Sequence, residues 1–345
     1  MRFKQSALNS GLSALLAAGA AGIAPATAAD FYAGKTIEFL VGGDVGGGYD
    51  IYARTIGRHL ARHIPGEPTI VVKNMPGAGG GRAAAYLYSV APKDGTTIAI
   101  VFPGAIVGPL LEDRAQDLYD PTKFNYLASA DSGTRLCVTY QTSKIKTFED
   151  AQKQKTLAGA SQAGGSTRDY ANMHNKTAGT QFEVITGYKG TADIFLAIER
   201  GEVDGMCGID WTSVRSQRAD WIRDKKVNIL VQVNLEPEAE LTKMNVPQIW
   251  PYVKTDLDKQ AVELVVGQQV FGRPFIAPPD VPADRVEILR DAFMATMQDK
   301  ALLADAEKSR IDIVPGSGEK VQQLVAKLYA TSSNVVDRAK EIVKP

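Results

Sequence analysis

Two cysteines, three histidines and no long run of single-sign charge in 345 residues remove several classes of protein at once. Cys137 and Cys207 are too few for a four-cysteine zinc module and stand in no Cys-x-x-Cys spacing, so no metal site is expected. Basic and acidic side chains balance at 39 each, which leaves no electrostatic footprint of a nucleic-acid binder, and no nucleic-acid partner is expected. His59 and His63 stand four apart, but Leu60 occupies the place where a zinc protease needs its glutamate, so both read as surface residues beside an apolar stripe. His174 has no evident partner. Gly159-Ala160-Ser161-Gln162-Ala163 resembles a nucleophile elbow without its closing glycine. No acid/base pair is readable, and the chain is not expected to be an enzyme or to need a cofactor.

The first residues carry a different message. Met1, Arg2 and Lys4 precede an apolar stretch from Leu12 to Ile23, and Ala26-Thr27-Ala28-Ala29 follows. That pattern predicts a secretory signal peptide over residues 1–29, cut after Ala28 or Ala29. Its apolar core is shorter than the roughly 18 residues of a spanning helix, and nothing later is apolar and long enough to cross a bilayer. Export to an oxidising compartment permits Cys137 and Cys207 to pair; the alternative is two buried thiols in separate strands.

Beyond the signal, short β-rich runs alternate with helical patterns, which predicts an α/β protein with parallel sheets and crossover helices. Strands are expected at 36–41, 69–73 and 97–102, with helices at 50–64 and 82–90 between them. The pattern repeats with strands at 135–140, 156–160, 182–186 and 203–207, and helices after Thr147 and from Thr167 to about Lys176. A β-like run at 270–276 and helices at 284–298 and 319–340 follow, expected to pack on the first group. The length suits two lobes: residues 30–128 with 240–345, and residues 129–239.

Three glycine-rich segments each follow a strand and open a helix, where free backbone N–H groups and the helix dipole attract an anion. They are Gly42 to Asp50, Pro76 to Gly81 and Ala163 to Thr167. None ends in Gly-Lys-Ser/Thr or satisfies G-x-G-x-x-G, which argues against a nucleotide. The second, with Ala78, reads equally as tight turns and close packing. The first and third, on opposite lobes, would face each other across one cleft and hold a carboxylate.

These segments, taken in order, carry a resemblance. Gly46-Gly47-Gly48-Tyr49-Asp50, Val71-Val72-Lys73-Asn74-Met75-Pro76-Gly77-Ala78-Gly79-Gly80, Pro92-Lys93-Asp94-Gly95-Thr96-Thr97, Tyr188-Lys189-Gly190-Thr191, Gly201-Glu202-Val203-Asp204 and Phe275-Ile276-Ala277-Pro278-Pro279 resemble the periplasmic receptors of tripartite tricarboxylate transporters, the Bug or TctC-type solute-binding proteins. The resemblance implies a Venus-flytrap fold of two α/β lobes joined by two crossing segments, a periplasmic location, and capture of a small organic anion without reaction. It also implies delivery to membrane subunits driven by an ion gradient; a monomer is expected. The alternatives are an exported hydrolase acting through Ser161, or a sensory receptor of the same fold that feeds a membrane kinase.

Carried over position by position, the ligand-holding amides are those of Gly46, Gly47, Gly48, Tyr49 and Asp50, and of Gly164, Gly165, Ser166 and Thr167. Departures from the family pattern bear on the ligand. Gly42-Gly43-Asp44-Val45 stands where Pro-Phe-Pro-Ala is usual, and Tyr49 replaces a small residue. Asp44 would repel a carboxylate unless it points away or meets an amine. Arg168 is either a bidentate carboxylate clamp or an exposed first-turn residue. Tyr188 and Trp211 either wall the cleft or pack in the core, and Asp210 is placed to orient a ligand hydroxyl or amine.

Overall fold

The structure is a computed structural model that describes residues 1, 31–111, 118–161, 165–188, 190–309 and 311–345. The body of the expected signal peptide lies outside them, as does Gly164.

Eleven strands among the described residues form two sheets. The first contains β1 (Thr36–Val41), β2 (Thr69–Asn74), β3 (Thr97–Ile100), β4 (Asn125–Ser129), β10 (Pro274–Ala277) and β11 (Gly316–Ser317), in the order β11-β4-β10-β3-β1-β2. The second contains β5 (Arg135–Tyr140), β6 (Thr156–Gly159), β7 (Phe182–Ile185), β8 (Gly205–Asp210) and β9 (Val227–Val233), ordered β7-β6-β8-β5-β9. Helices pack around each, giving two α/β lobes.

Both sheets are mixed, which corrects the expectation of parallel ones. β1 runs parallel to β2 and β3, and β6 parallel to β7 and β8, as helical crossovers require. β10 is antiparallel to β3 and β4, and β5 is antiparallel to β8 and β9. β5 and β10 are the first strands formed as the chain enters the second lobe and re-enters the first; the two-residue β11 is antiparallel as well, to β4.

Aromatic packing stitches the late segment to the early one. The rings of Phe275 and Phe293 stack with centroids 4.5 Å apart, and Phe39 of β1 meets Phe275 edge-on at 5.8 Å. All three are fully buried, and each such side chain contributes about 1.5–3 kcal/mol relative to exposure. The 270–276 run begins as a 3-10 turn, Gln268–Phe271, before β10. The single helix expected at 319–340 is two, Gly318–Tyr329 and Ser333–Val343, interrupted where Thr331-Ser332-Ser333 favours a turn over a helix interior.

The chain crosses between lobes twice, and the crossings lie side by side. Gly272 N donates to Asp131 O (2.8 Å), Gly133 N to Gln269 O (3.1 Å), and Ala130 N to Arg273 O (3.1 Å). A further connection comes from the helix Ser333–Val343. It packs on the helix Asp256–Gly267 and also on the second lobe's helix Ser166–Ala178. Lys176 Nζ donates to the carbonyls of Glu341 (2.9 Å) and Lys344 (2.8 Å), and Asn172 Nδ2 donates to that of Val343 (3.1 Å).

Cys137 of β5 and Cys207 of the neighbouring β8 form a disulfide inside the second lobe. Among the described residues no helix is long and apolar enough to cross a membrane.

Candidate functional site

The chain at or just beyond the ends of β1, β3 and β8 meets the second crossing segment: Tyr49 Oη donates to Gly272 O (2.9 Å), Val101 N to Pro274 O (3.4 Å), and Asp210 lies 3.9 Å from Arg273. In open α/β sheets ligands bind outside the carboxyl ends of the strands.

The first glycine loop is held from within. Asp50 is 3 % exposed and its carboxylate accepts from Gly46 N (2.8 Å), Arg54 Nε (2.9 Å) and Asn74 Nδ2 (3.0 Å). Burial alone would raise its pKa; the hydrogen bonds from Arg54, Gly46 and Asn74 outweigh that and hold it below the ordinary value. Asn74 also donates to Gly43 O (3.0 Å), tying the end of β2 to the loop. The Asp50 carboxylate is therefore taken up by the loop's own hydrogen bonds. Asp44 is exposed, and its carbonyl accepts from Gly47 N (3.1 Å). The Gly46 and Gly47 amides are thus engaged inside the loop.

Other donors remain. The first i→i−4 bond of the helix Gly48–Leu60 is donated by Ile51 to Gly47 O (3.0 Å), and the N-cap Gly47 supplies no side-chain cap. The amides of Gly48, Tyr49 and Asp50 precede that bond, so they are the helix-end donors this loop presents.

The third loop has the same construction. Gly165 is an N-cap without a side-chain bond; its carbonyl accepts from Arg168 N (3.0 Å) and Asp169 N (3.1 Å), which leaves the Ser166 and Thr167 amides ahead of the ladder. Thr167 Oγ1 accepts from Ser161 N (2.9 Å) and lies 3.0 Å from Ser161 Oγ. Gly208 backs the loop. It has φ of +68°, and a Cβ there would stand 2.1 Å from Ser166 O. The second loop acts as packing material: a Cβ on Gly42 would lie 3.0 Å from Gly80 Cα, while Ala78 is exposed with φ of +48°.

Beside Tyr49 of the first helix start lies a buried charge cluster, of which the sequence reading named Asp210 but not Arg135, Arg273 or Asp131. Asp210 Oδ2 sits 2.6 Å from Arg135 Nη1 and 3.9 Å from Arg273 Nη2. Arg273 is 7 % exposed and lies under the rings of Tyr49 (4.6 Å) and Tyr52 (5.0 Å). Tyr49 donates its hydroxyl to Gly272 O (2.9 Å) on the crossing segment. Asp131, on the other crossing segment, is 1 % exposed, and neither carboxylate oxygen has a hydrogen-bond partner. Burial pushes its pKa up to about 6, against the opposing pull of Arg273. Gln269 Nε2 reaches the Tyr170 hydroxyl (2.5 Å) on the helix Ser166–Ala178. Besides Asp210, the sequence signal for the cluster is a charge abutting an apolar strand, as in Gly272-Arg273-Pro274.

The remaining candidates separate. Asp210 belongs to this cluster. Arg168 pairs through Nε with its neighbour Asp169 (3.0 Å), the arrangement of a first-turn residue. Tyr188 packs against Gly159 and the second lobe's core. Trp211 is 2 % exposed in that core, and its Nε1 donates to Glu240 (3.1 Å). Trp211 also lines, with Asp131, Thr134, Arg215 and Asp312, a cavity of about 280 Å³ beside the crossing segments. His59 pairs with Asp305 (3.1 Å) and His63 with Asp299 (2.9 Å), while His174 is buried in the second lobe's interior.

Comparison with known proteins agrees with this architecture. The family model described as tripartite tricarboxylate transporter family receptor matches residues 53–341. A Cupriavidus necator protein described as "UPF0065 protein in gbd 5'region" is 31 % identical over 204 residues, which cover 53 % of this chain and 60 % of that one. The aligned part thus spans less than two thirds of that relative. Among solved structures, a TctC solute-binding protein from Polaromonas superposes with a TM-score of 0.66 at 16 % identity, covering 88 % of this chain and 98 % of that one. A Rhodopseudomonas palustris protein with bound malate gives 0.61 at 19 % (90 % and 99 % covered), and another from R. palustris with adipate gives 0.63 at 18 % (88 % and 97 %). The fold is the two-lobed one of periplasmic binding proteins.

Proposed function

Because the chain belongs to the tripartite tricarboxylate transporter receptor family, we propose that it is exported, captures a small organic carboxylate between its lobes and delivers it to membrane transporter subunits, without chemical turnover. One observation carries the reading. Two 13-residue helices, Gly48–Leu60 and Ser166–Ala178, begin at the gap between lobes with glycine N-caps and no side-chain cap. A helix start without a side-chain acceptor leaves its first amides to a ligand, and the dipole favours a negative one. The Asp50–Asn74–Arg54 clasp fixes the first set of amides in advance, which lowers the ordering cost of binding. Malate and adipate, held by two proteins of the same fold, are dicarboxylates, and a dicarboxylate has an end for each helix.

The second lobe's cluster supplies the closing contact in this proposal. Asp210 pairs with Arg135 and lies 3.9 Å from Arg273, so a ligand carboxylate that takes its place meets guanidinium groups already largely withdrawn from water. Closure around the anion then selects the form that docks on the membrane partner.

Gly48→Pro tests the amide donors without disturbing the fold. Position 48 is the first helical residue, where proline is tolerated; Gly47 already has the extended φ/ψ (−74°, 167°) that a following proline demands, and nothing lies within 4 Å of a Cβ at position 48. The exchange deletes one N–H. Loss of one charge-assisted hydrogen bond, about 1.5–3 kcal/mol, weakens the bound carboxylate roughly 10- to 150-fold in calorimetric titration. Unchanged affinity for every carboxylate that the parent binds would remove the first loop from the site.

A further inference from the structure

Cys137, Cys207 and His174 offer three metal-ligand atoms, all within 4.8 Å of one another and all buried. They come from β5, β8 and the helix Ser166–Ala178, so no contiguous motif announces them. The two sulfurs form a disulfide, but the imidazole beside them is left with an unsolved problem. His174 is fully buried, and neither ring nitrogen has a hydrogen-bond partner. The rings of Phe148 (5.5 Å) and Tyr170 (6.4 Å) flank it. A neutral imidazole always carries one N–H and one lone pair, and a native interior rarely leaves both unmatched. An apolar surround of this kind favours the uncharged ring, whose lone pair is left without a partner.

We propose that the reduced protein holds a thiophilic divalent cation of the zinc type on Cys137, His174 and Cys207. The first step is thiol–disulfide exchange: a dithiol reductant gives two electrons and two protons to the Cys137–Cys207 bond, yielding two thiols and the reductant's own disulfide. In the second, the hydrated cation exchanges all but one of its waters for the two sulfurs and the imidazole nitrogen; the two thiol protons pass to solvent, and two metal–sulfur bonds and one metal–nitrogen bond form, the retained water completing four-coordination. Such bonds are about 2.3 Å to sulfur and about 2.0–2.1 Å to nitrogen, lengths that suit donors already clustered within 4.8 Å. Charge supports a divalent ion. Two thiolates and a neutral imidazole around M²⁺ sum to zero, and both cysteines lie in an apolar cluster with Phe148, Tyr170, Met173 and Val231, where a net charge is strongly disfavoured. The disulfide and the metal are alternative occupants of one place: oxidation to the disulfide expels the ion, and the ion protects the thiols from oxidation. The inference stands independently of the carboxylate site.

The experiment uses the full chain, refolded from denaturant under a phosphine reductant with and without zinc and then titrated against a chromophoric chelator. One equivalent of zinc is expected on the reduced protein and none on the disulfide form. Cobalt(II) substituted for zinc is expected to give a sulfur-to-metal charge-transfer band. His174→Phe, which keeps an aromatic ring between Phe148 and Tyr170, is expected to lose at least tenfold in zinc affinity. Should that variant not fold, alkylation of the parent decides: bound zinc slows modification of Cys137 and Cys207 at least tenfold. Failure of the reduced parent to take up zinc, equal alkylation rates with and without zinc, or undiminished affinity in a folded His174→Phe protein each overturn the proposal.

Discussion

Replacing Asp131 by asparagine is expected to stabilise the protein, by an amount that depends on pH in one direction only. Asp131 is 1 % exposed, and both its oxygens lack donors. Its pKa rises from 3.8 to about 6 because burial penalises the charged form more than Arg273 favours it. The folded state therefore binds the proton more tightly than the unfolded state. Below pH 3.8 both states are protonated and no penalty exists; it grows between pH 3.8 and 6 and is complete above 6. A shift of about two pH units is worth about 3 kcal/mol. The asparagine side chain keeps the shape and cannot ionise, so Asp131→Asn gains up to about 3 kcal/mol at pH 8 and close to nothing near pH 4. Guanidinium unfolding from pH 4 to 8 measures it, with equal m values confirming that only stability has moved. A difference that is constant with pH, or a variant less stable than the parent at pH 8, would refute the assignment of an uncompensated carboxylate to the crossing segment.

Other consequences are equally direct. Asn74→Ala removes donors to both Asp50 and Gly43; carboxylate affinity should fall about tenfold while the melting temperature drops only a few degrees, read by titration and thermal scanning. Gly208→Ala places a methyl 2.1 Å from Ser166 O in a left-handed backbone, so the third loop must shift; stability should fall by about 2 kcal/mol or more, and affinity with it. Removing the disulfide by Cys137→Ala with Cys207→Ala opens a link spanning 70 residues and should cost up to about 4 kcal/mol in denaturant titrations.

The legibility of this fold in its sequence followed periodicity. Thr36–Val41 and Arg135–Tyr140 match the expected strands residue for residue because both are bounded by glycine or polar turns. β4 and the helices Pro103–Leu111 and Asp256–Gly267 went unread: β4 is a short Asn-Tyr-Leu-Ala-Ser stretch, and the first of those helices is apolar on all sides with an internal proline. The glycine loops were visible as motifs, but which amides remain available depends on where Asp44 and Asp50 direct their acceptors, a property of three-dimensional structure. Arg135, Asp210, Asp131 and Arg273 are separated by up to 142 positions (273 minus 131) and meet only because the crossing segments run side by side. Trp211, read as a cleft wall or as core, is buried among the second lobe's apolar side chains and also lines the cavity beside the crossing segments, its indole N–H reaching the exposed Glu240.

The helix Ser333–Val343 alters the mechanics of a two-strand hinge. A lobe carried only by Ala130–Gly133 and Gln269–Arg273 would be free both to swing and to twist. With Lys176 and Asn172 gripping the carbonyls at the end of that helix, the second lobe rests on a third point of support set away from the other two. Any rotation of that lobe about the two crossing segments alone must break these hydrogen bonds or carry the end of the helix with it, so the C-terminal helix ties the position of the second lobe to the integrity of the chain's last residues.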